Sequence, residues 1–214
     1  TRAMDATDDA LGVRKLRHRT FIGGDGDMWE RIGRLQFDFL RARGLQPQHV
    51  LLDFACGSLR GGIHFIPYLD AGHYLGFDKS FDLVAMGVMN ELGHERFTER
   101  RPEFVINGRF DLSEFTKKPD FVIAQSIFTH LVPDDIRRSL AAIATVSKPT
   151  TVVFATYFLR DQAYGNPAQS HSRENFYYLP DDMRSFGADS GWKFENIGAW
   201  NHPRGQQMAR YYRA

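Results

Sequence analysis

The stretch LLDFACGSLRGG, residues 51–62, decides how the rest of the chain is read. A run of strand-forming residues ends in Asp53. A short bend carrying Ala55, Cys56 and Gly57 follows, then Arg60 and the pair Gly61–Gly62. A glycine-containing turn after a buried strand lets backbone N–H groups approach a ligand. Further along, HYLGFD ends a second strand in Asp78, about twenty residues after the turn, where a carboxylate can take both vicinal hydroxyls of a ribose. Turn and acid together predict a nucleoside-containing cofactor.

Which cofactor follows from spacing. A dinucleotide site wants G-x-G-x-x-G. Here Leu59 stands where the second glycine belongs, and its side chain is expected to crowd a pyrophosphate. No Gly-Lys-Ser/Thr follows, so the turn is not a P-loop. The expectation is a ligand without phosphates at this loop. Cys56 is expected to be a small packed residue, since nothing nearby would lower its pKa.

Working outward, strand-like and helix-like segments alternate. MWERIGRLQFDFLRAR spaces Met28, Ile32, Leu35 and Phe39 as a helix, with Asp27 as N-cap, Glu30 completing a capping box and Gly44 closing it. HVLLDFA, HYLGFD, EFVIN, DFVIAQS and TTVVFATYF read as strands. GIHFIPYL, FDLVAMGVMNEL, PDDIRRSLAAIATVS and PDDMRSFGADSG read as helices. A long polar and aromatic loop runs from Arg160 to Leu179. WKFENIGAW and QQMARYYR close the chain as strands joined by NHPRG, with no helix between them. This predicts a mostly parallel α/β sheet with helices on both faces and an antiparallel pair at the C-terminal edge. Residues 1–24 read as a loose arm and 25–214 as a single domain.

Composition narrows the class. The chain has 214 residues, 43% hydrophobic and 25% charged, with net charge +1. That balance argues against a protein living on nucleic-acid phosphates. One cysteine excludes an internal disulfide and suits a reducing cytoplasm. No apolar run reaches membrane-spanning length, and TRAMDATDDALGVRK shows no apolar leader core. A homodimer is compatible with the sequence.

LLDFACGSLRGG resembles the first motif of class I S-adenosylmethionine-dependent methyltransferases, an acid, small residues and Gly-x-Gly. The longer run CGSLRGG to IPYLDAGHYLGFD resembles a bacterial branch met in polysaccharide and secondary-metabolite pathways. It is also similar to the mycobacterial sugar O-methyltransferases of methylmannose polysaccharide. The resemblance implies a Rossmann-like seven-stranded sheet and S-adenosylmethionine as cofactor, with S-adenosylhomocysteine as product. Asp53 and Gly57 match the family's acid and first glycine, with Ala55 and Cys56 in the same loop. Asp78 matches the ribose carboxylate, with Lys79 beside it. FVINGRFDLSEF resembles the adenine-flanking segment, which implies Phe110 and Asp111. FVIAQSIFTHL resembles the strand-four motif, where Gln125 and Ser126 border the cofactor.

Methyl transfer to a hydroxyl needs alignment and a base near the acceptor proton. His130 lies just past the fourth strand in apolar SIFTHL, where burial would hold it neutral. His171, in the long loop, and His202, in the terminal hairpin, also lie where the acceptor is expected; the other five histidines read as surface or packing residues. Trp29 could close as a lid after the GGDGD loop. Arg60, Tyr157, Tyr164, Tyr177, Tyr178, Trp200 and Arg204 are further acceptor candidates, because aromatic faces with polar tips suit sugars. Asp134 and Asp135 are explained by a helix start, and no metal ligand set is read. The expected function is O-methylation of a sugar or oligosaccharide hydroxyl. A secondary-metabolite hydroxyl or amine is a second acceptor class. An NAD-dependent oxidoreductase or a non-catalytic cofactor-binding scaffold are the rivals from other classes.

Overall fold

The computed structural model describes residues 19, 27–160 and 165–213. The expected arm, Arg19 apart, and Tyr164 lie outside them. Eight strands are described: β1 Leu51–Phe54, β2 Tyr74–Asp78, β3 Glu103–Ile106, β4 Phe121–Ala124, β5 Val152–Leu159, β6 Tyr177–Tyr178, β7 Lys193–Ala199 and β8 Gln207–Tyr212. Their order is β3-β2-β1-β4-β5-β8-β7, with β6 pairing β5 off this path. The pairs from β3 to β5 are parallel, and β5–β8 and β7–β8 are antiparallel. The predicted α/β sheet with an antiparallel C-terminal edge is therefore present, with one strand more than expected. The extra one, the two-residue β6, lies in the stretch read as loop.

Strand alternation builds two cores. Leu52 and Phe54 of β1, Leu75 and Phe77 of β2, Val122 of β4, and Val153 and Ala155 of β5 belong to one buried cluster. Leu51, Tyr74, Ile123 and Phe154, their neighbours in sequence, belong to the other. The period of two sends successive side chains to opposite faces, so a sheet covered on both faces needs near-continuous apolar strands. Each fully buried large side chain contributes roughly 1.5–3 kcal/mol of transfer free energy.

Among the described residues, six α-helices cover the faces: α1 Met28–Ala42, α2 Gly62–Tyr68, α3 Phe81–Met86, α4 His94–Arg100, α5 Pro133–Val146 and α6 Pro180–Ala188. Phe37 and Leu40 of α1 and Phe65 and Ile66 of α2 pack in the second cluster. Ile136, Leu140 and Ile143 of α5 and Met183 and Phe186 of α6 pack in the first. The helix expected from FDLVAMGVMNEL forms, but it loosens into a π-helical turn over Gly87–Leu92. Asp27 makes no side-chain capping bond to α1, contrary to the predicted capping box. The segment between β2 and β3 also yields α4, which the apolar pattern did not indicate. Its seven residues contain no buried residue, so it has no apolar stripe to read.

Chain order reverses at β1, which lies between β2 and β4. Ligands of open α/β sheets bind beyond the strand ends at such a switch point. The residues following β1, β2 and β4 therefore face one region.

Candidate functional site

The turn after β1 is built by backbone geometry. Gly57 has φ +53°, a left-handed conformation that costs glycine little. Its N–H donates to Asp78 Oδ2 at 2.9 Å, and Ser80 N–H donates to Asp78 Oδ1 at 2.8 Å. The two loops are thus tied together across the switch point. Burial pushes the Asp78 carboxyl up, and the bonds from Ser80 and Gly57 oppose that. Asp53 is also buried and accepts from Tyr74 Oη at 2.7 Å. Burial pushes Asp53 up to about 7, against the pull of Tyr74 and of nearby Arg60. Gly62 makes this pair fit: a Cβ there would lie 2.8 Å from Tyr74 Oη.

Two clefts meet at this point, sharing Ala55, Asp78, Leu83 and Ser172. The larger, about 630 Å³, is lined by apolar groups including Phe54, Phe77, Phe110, Ile127 and Leu131, with Lys79 and Asn107. Phe54 stacks on Phe77 at 4.8 Å and on Phe110 at 5.9 Å. The smaller, about 340 Å³, is polar: Asp53, Arg60, Gln125, Ser126, His130 and Arg204 are on its wall. Ala55, Phe110 and Ser126 all have positive φ without being glycine. Backbone strain of this kind costs of order 1–3 kcal/mol and clusters at ligand sites.

Behind the polar cleft is a hydrogen-bonded amide network. Gln125 Nε2 donates to Ser126 Oγ at 2.8 Å and to Gln206 Oε1 at 3.1 Å, and the amide lies 3.2 Å from His202 Nε2. Ser126 N–H donates to Thr156 Oγ1 at 2.7 Å. Arg204 N–H donates to His202 Nδ1 at 3.2 Å, and Trp200 stacks on the His202 ring at 5.4 Å. Burial, then Arg60 and Arg204, pushes His202 down to about 4, so it is neutral at ordinary pH. His130 is lowered mainly by burial. Its Nδ1 lies 3.2 Å from the Glu174 carbonyl, which can only accept. That bond places the ring proton on Nδ1 and leaves Nε2 with its lone pair.

Placement of the sequence-predicted residues is mixed. Asp53, Ala55, Cys56, Gly57, Asp78, Gln125, Ser126, His130, Arg60 and Arg204 line the polar cleft, and Lys79 and Phe110 line the apolar one. Asp111 lines neither; it closes an exposed turn, accepting from Ser113 N–H and Oγ at 3.0 and 2.7 Å. Asn107 stands at the cleft instead, and its Nδ2 donates to the Asp111 carbonyl at 2.8 Å. Tyr157 is core, donating to Asn196 Oδ1 at 2.9 Å. Tyr177 and Tyr178 border a separate groove beside α6. Trp29 is packed as core, with the Arg19 guanidinium 4.4 Å over its ring and that arginine paired with Glu91. It borders neither cleft, contrary to the expected lid. His171 also borders neither, and its ring packs edge-on to Phe176 at 5.5 Å. Cys56 is buried and its thiol is pushed well up by burial, as expected of a packed residue.

Leu59 requires a correction. Its side chain does not face the clefts but is fully buried, with φ +64°, against Gly62 and Gly87. The argument that Leu59 crowds a pyrophosphate therefore fails, and the loop's ligand preference rests on other residues. Sequence reasoning also missed Gln36, Gln206, Phe158, Ser172 and Asn175 on the polar cleft. Gln36 had a signal: it lies at i+4 from Ile32 and i−4 from Leu40 on the apolar stripe of α1, and it is only 2% exposed.

No family model matches the chain. Among solved structures, the chain is similar to the magnesium protoporphyrin IX methyltransferase of Synechocystis PCC 6803 with bound SAH, at 16% identity and TM-score 0.66, over 95% of each chain. It is similar to DesVI of Streptomyces venezuelae at 17% identity and TM-score 0.62, over 91% of this chain and 95% of that one. It is similar to the glycopeptide N-methyltransferase MtfA complexed with S-adenosyl-L-homocysteine, at 12% identity and TM-score 0.65, over 85% and 90%. The chain thus has the fold found in these methyltransferases.

Proposed function

We propose that this chain is an S-adenosylmethionine-dependent methyltransferase that O-methylates a hydroxyl of a small polar acceptor, a sugar or oligosaccharide. One observation carries the reading: Asp78 stands where an apolar, phenylalanine-lined cleft meets a polar one, its carboxylate already oriented by two backbone N–H groups. The residues fit the cofactor in three parts. Phe110 and Ile127 offer apolar faces for adenine, Asp78 offers lone pairs for ribose hydroxyls, and Asp53, Gly57 and Gln125 offer polar groups for the amino-acid end. When bound, the cofactor supplies an electrophilic methyl carbon.

The remaining steps belong to the chain. The amide network of Gln125, Ser126 and Gln206 stiffens the floor of the polar cleft. His130, with Nδ1 held by the Glu174 carbonyl, presents Nε2 to take the acceptor hydroxyl proton. Its lowered pKa keeps that nitrogen unprotonated near neutrality. The test is direct: calorimetric titration should show S-adenosylhomocysteine binding and no NAD binding. Tight NAD binding in place of S-adenosylhomocysteine would sink the reading in favour of an oxidoreductase. Cofactor binding with no methyl gain across sugars, phenols and small acids would favour a scaffold.

A further inference from the structure

We infer that Ser170 is a positioning residue for His130: its hydroxyl ties the start of α5 to the segment 170–178, and so holds the Glu174 carbonyl against the His130 ring. The inference rests on the base role proposed for His130 and names what keeps that base in its working tautomer.

Helix α5 begins with Pro133, Asp134 and Asp135, and Val132 is its N-cap. Valine has no side-chain oxygen to cap a helix. A carboxylate at the third helical position ordinarily reaches back to the N-cap N–H, as one half of a capping box. Here a hydroxyl stands between the two. Val132 N–H donates to Ser170 Oγ at 2.9 Å, and Ser170 Oγ donates to Asp135 Oδ2 at 2.6 Å. The second distance is that of a hydroxyl donating to a carboxylate. Asp135 Oδ1 accepts from Arg138 Nη1 at 3.0 Å, which steadies the carboxylate. The helix-start role expected of Asp135 is thus carried through a residue 35 positions away.

From Ser170 the chain runs along residues 129–132. His171 N–H donates to the His130 carbonyl at 3.1 Å, Phe176 N–H donates to the Thr129 carbonyl at 2.9 Å, and Tyr178 Oη donates to the Leu131 carbonyl. Between His171 and Phe176 lies an exposed bend. It supplies the Glu174 carbonyl, 3.2 Å from His130 Nδ1, and it places Ser172 and Asn175 on the polar cleft. A neutral backbone bond adds little net stability, whereas a bond to a charged group adds more. The Ser170 bond is of the second kind, and it anchors the entry to the bend. The tautomer of a histidine is set by the bond that its other ring nitrogen makes. Loosening the bend withdraws the acceptor from Nδ1, and the tautomer protonated on Nε2, which cannot take a proton there, gains population.

Nitrogen NMR of the full chain with isotope-labelled histidine, near neutral pH and without cofactor or acceptor, reads that tautomer. The His130 signals are identified by their loss in His130→Gln. The native chain should show a protonated Nδ1 and an unprotonated Nε2, widely separated. In Ser170→Ala the two signals should move toward each other as the second tautomer fills. Ser170→Thr keeps the hydroxyl and should restore them. Thr145→Ala removes a hydroxyl that donates to the Ala142 carbonyl at 2.7 Å in the same helix, and should leave them in place. Unmoved signals in Ser170→Ala overturn the inference, as does no recovery in Ser170→Thr. An equal shift in Thr145→Ala also overturns it, since that would mark a general loosening of α5. In Ser170→Ala, Asp135 can bond Val132 N–H directly, so the helix start should survive, which circular dichroism checks. If that variant does not fold, Asp135→Asn weakens the same tie from its other end, and unmoved signals there overturn the inference. The readout needs neither cofactor nor acceptor. Its failure is therefore distinct from that of the methyltransferase reading, which falls if S-adenosylhomocysteine does not bind.

Discussion

The two halves of the site are held in different ways. The half near β1 and β2 is made of short loops between parallel strands, tied by backbone bonds from Gly57 and Ser80 to Asp78. The half near the terminal hairpin is made of side chains that meet only in three dimensions: Gln125 and Ser126 after β4, His202, Arg204 and Gln206 before β8, and His130 with Asn175 from the loops around them. Backbone-built sites tolerate side-chain change except at the acid they orient. Network-built sites couple several residues, so substitutions there should not be additive.

Predictions sharpen that contrast. The largest effect is expected in the network half. His130→Gln should lower kcat by roughly 10²–10⁴-fold while leaving S-adenosylhomocysteine affinity within about twofold, read by single-turnover kinetics and calorimetry. Unchanged turnover would remove the base role and leave the fold reading standing. Next, in the backbone-built half, Asp78→Ala should weaken S-adenosylhomocysteine by roughly tenfold or more, because hydrogen bonds to a charged group are lost. Undiminished affinity would mean that the ribose is held elsewhere. Third, Gly62→Ala puts a methyl 2.8 Å from Tyr74 Oη and should cost about 1–3 kcal/mol in chemical unfolding by overpacking.

The smallest expected effect is a pH signature that separates the halves. Asp53 has an ordinary value of 3.8 and about 7 when folded, so its stabilising contribution is present at low pH and is lost as pH rises through about 7. His202 has an ordinary value of 6.5 and about 4 when folded, so its contribution is present above 6.5 and is lost as pH falls through about 4. Between about 4 and 6.5 the two slopes oppose each other. Urea midpoints of the native protein should therefore vary little across that window. Asp53→Asn should leave a midpoint that rises with pH there, and His202→Asn one that falls. Parallel profiles in both variants would show that the two groups are not linked to folding as described.

Legibility in the sequence followed the same division. That Asp53, Gly57 and Asp78 would meet at one cleft was readable because strand, turn and acid are close in sequence. The place of His130 on that cleft was readable from its position just past a strand. Gln206 and Ser172 were not, since nothing local marks them and they reach the cleft through long-range packing. The aromatic residues misled for a related reason. Tyr157 and Trp200 have the composition of a sugar platform, but sheet pairing and hairpin packing bury them, 0% and 6% exposed. Asp111 matched by alignment of a motif, yet a local turn with Ser113 turned its carboxylate to other use.

By itself the sequence determined the alternation of apolar strands with helices, the antiparallel edge pair and the acid-and-glycine punctuation of β1 and β2. These are set by side-chain period and turn chemistry within a few residues. Tertiary structure alone decided that Leu59 packs inward, that Gln36 faces a cleft from an apolar stripe, and that Arg60 and Arg204 share one pocket. Burial, like-charge proximity and the competition for hydrogen-bond partners exist only once distant segments are packed together. The turn of LLDFACGSLRGG was thus legible from its own residues, while the place of its arginine on one cleft wall with the last hairpin was not.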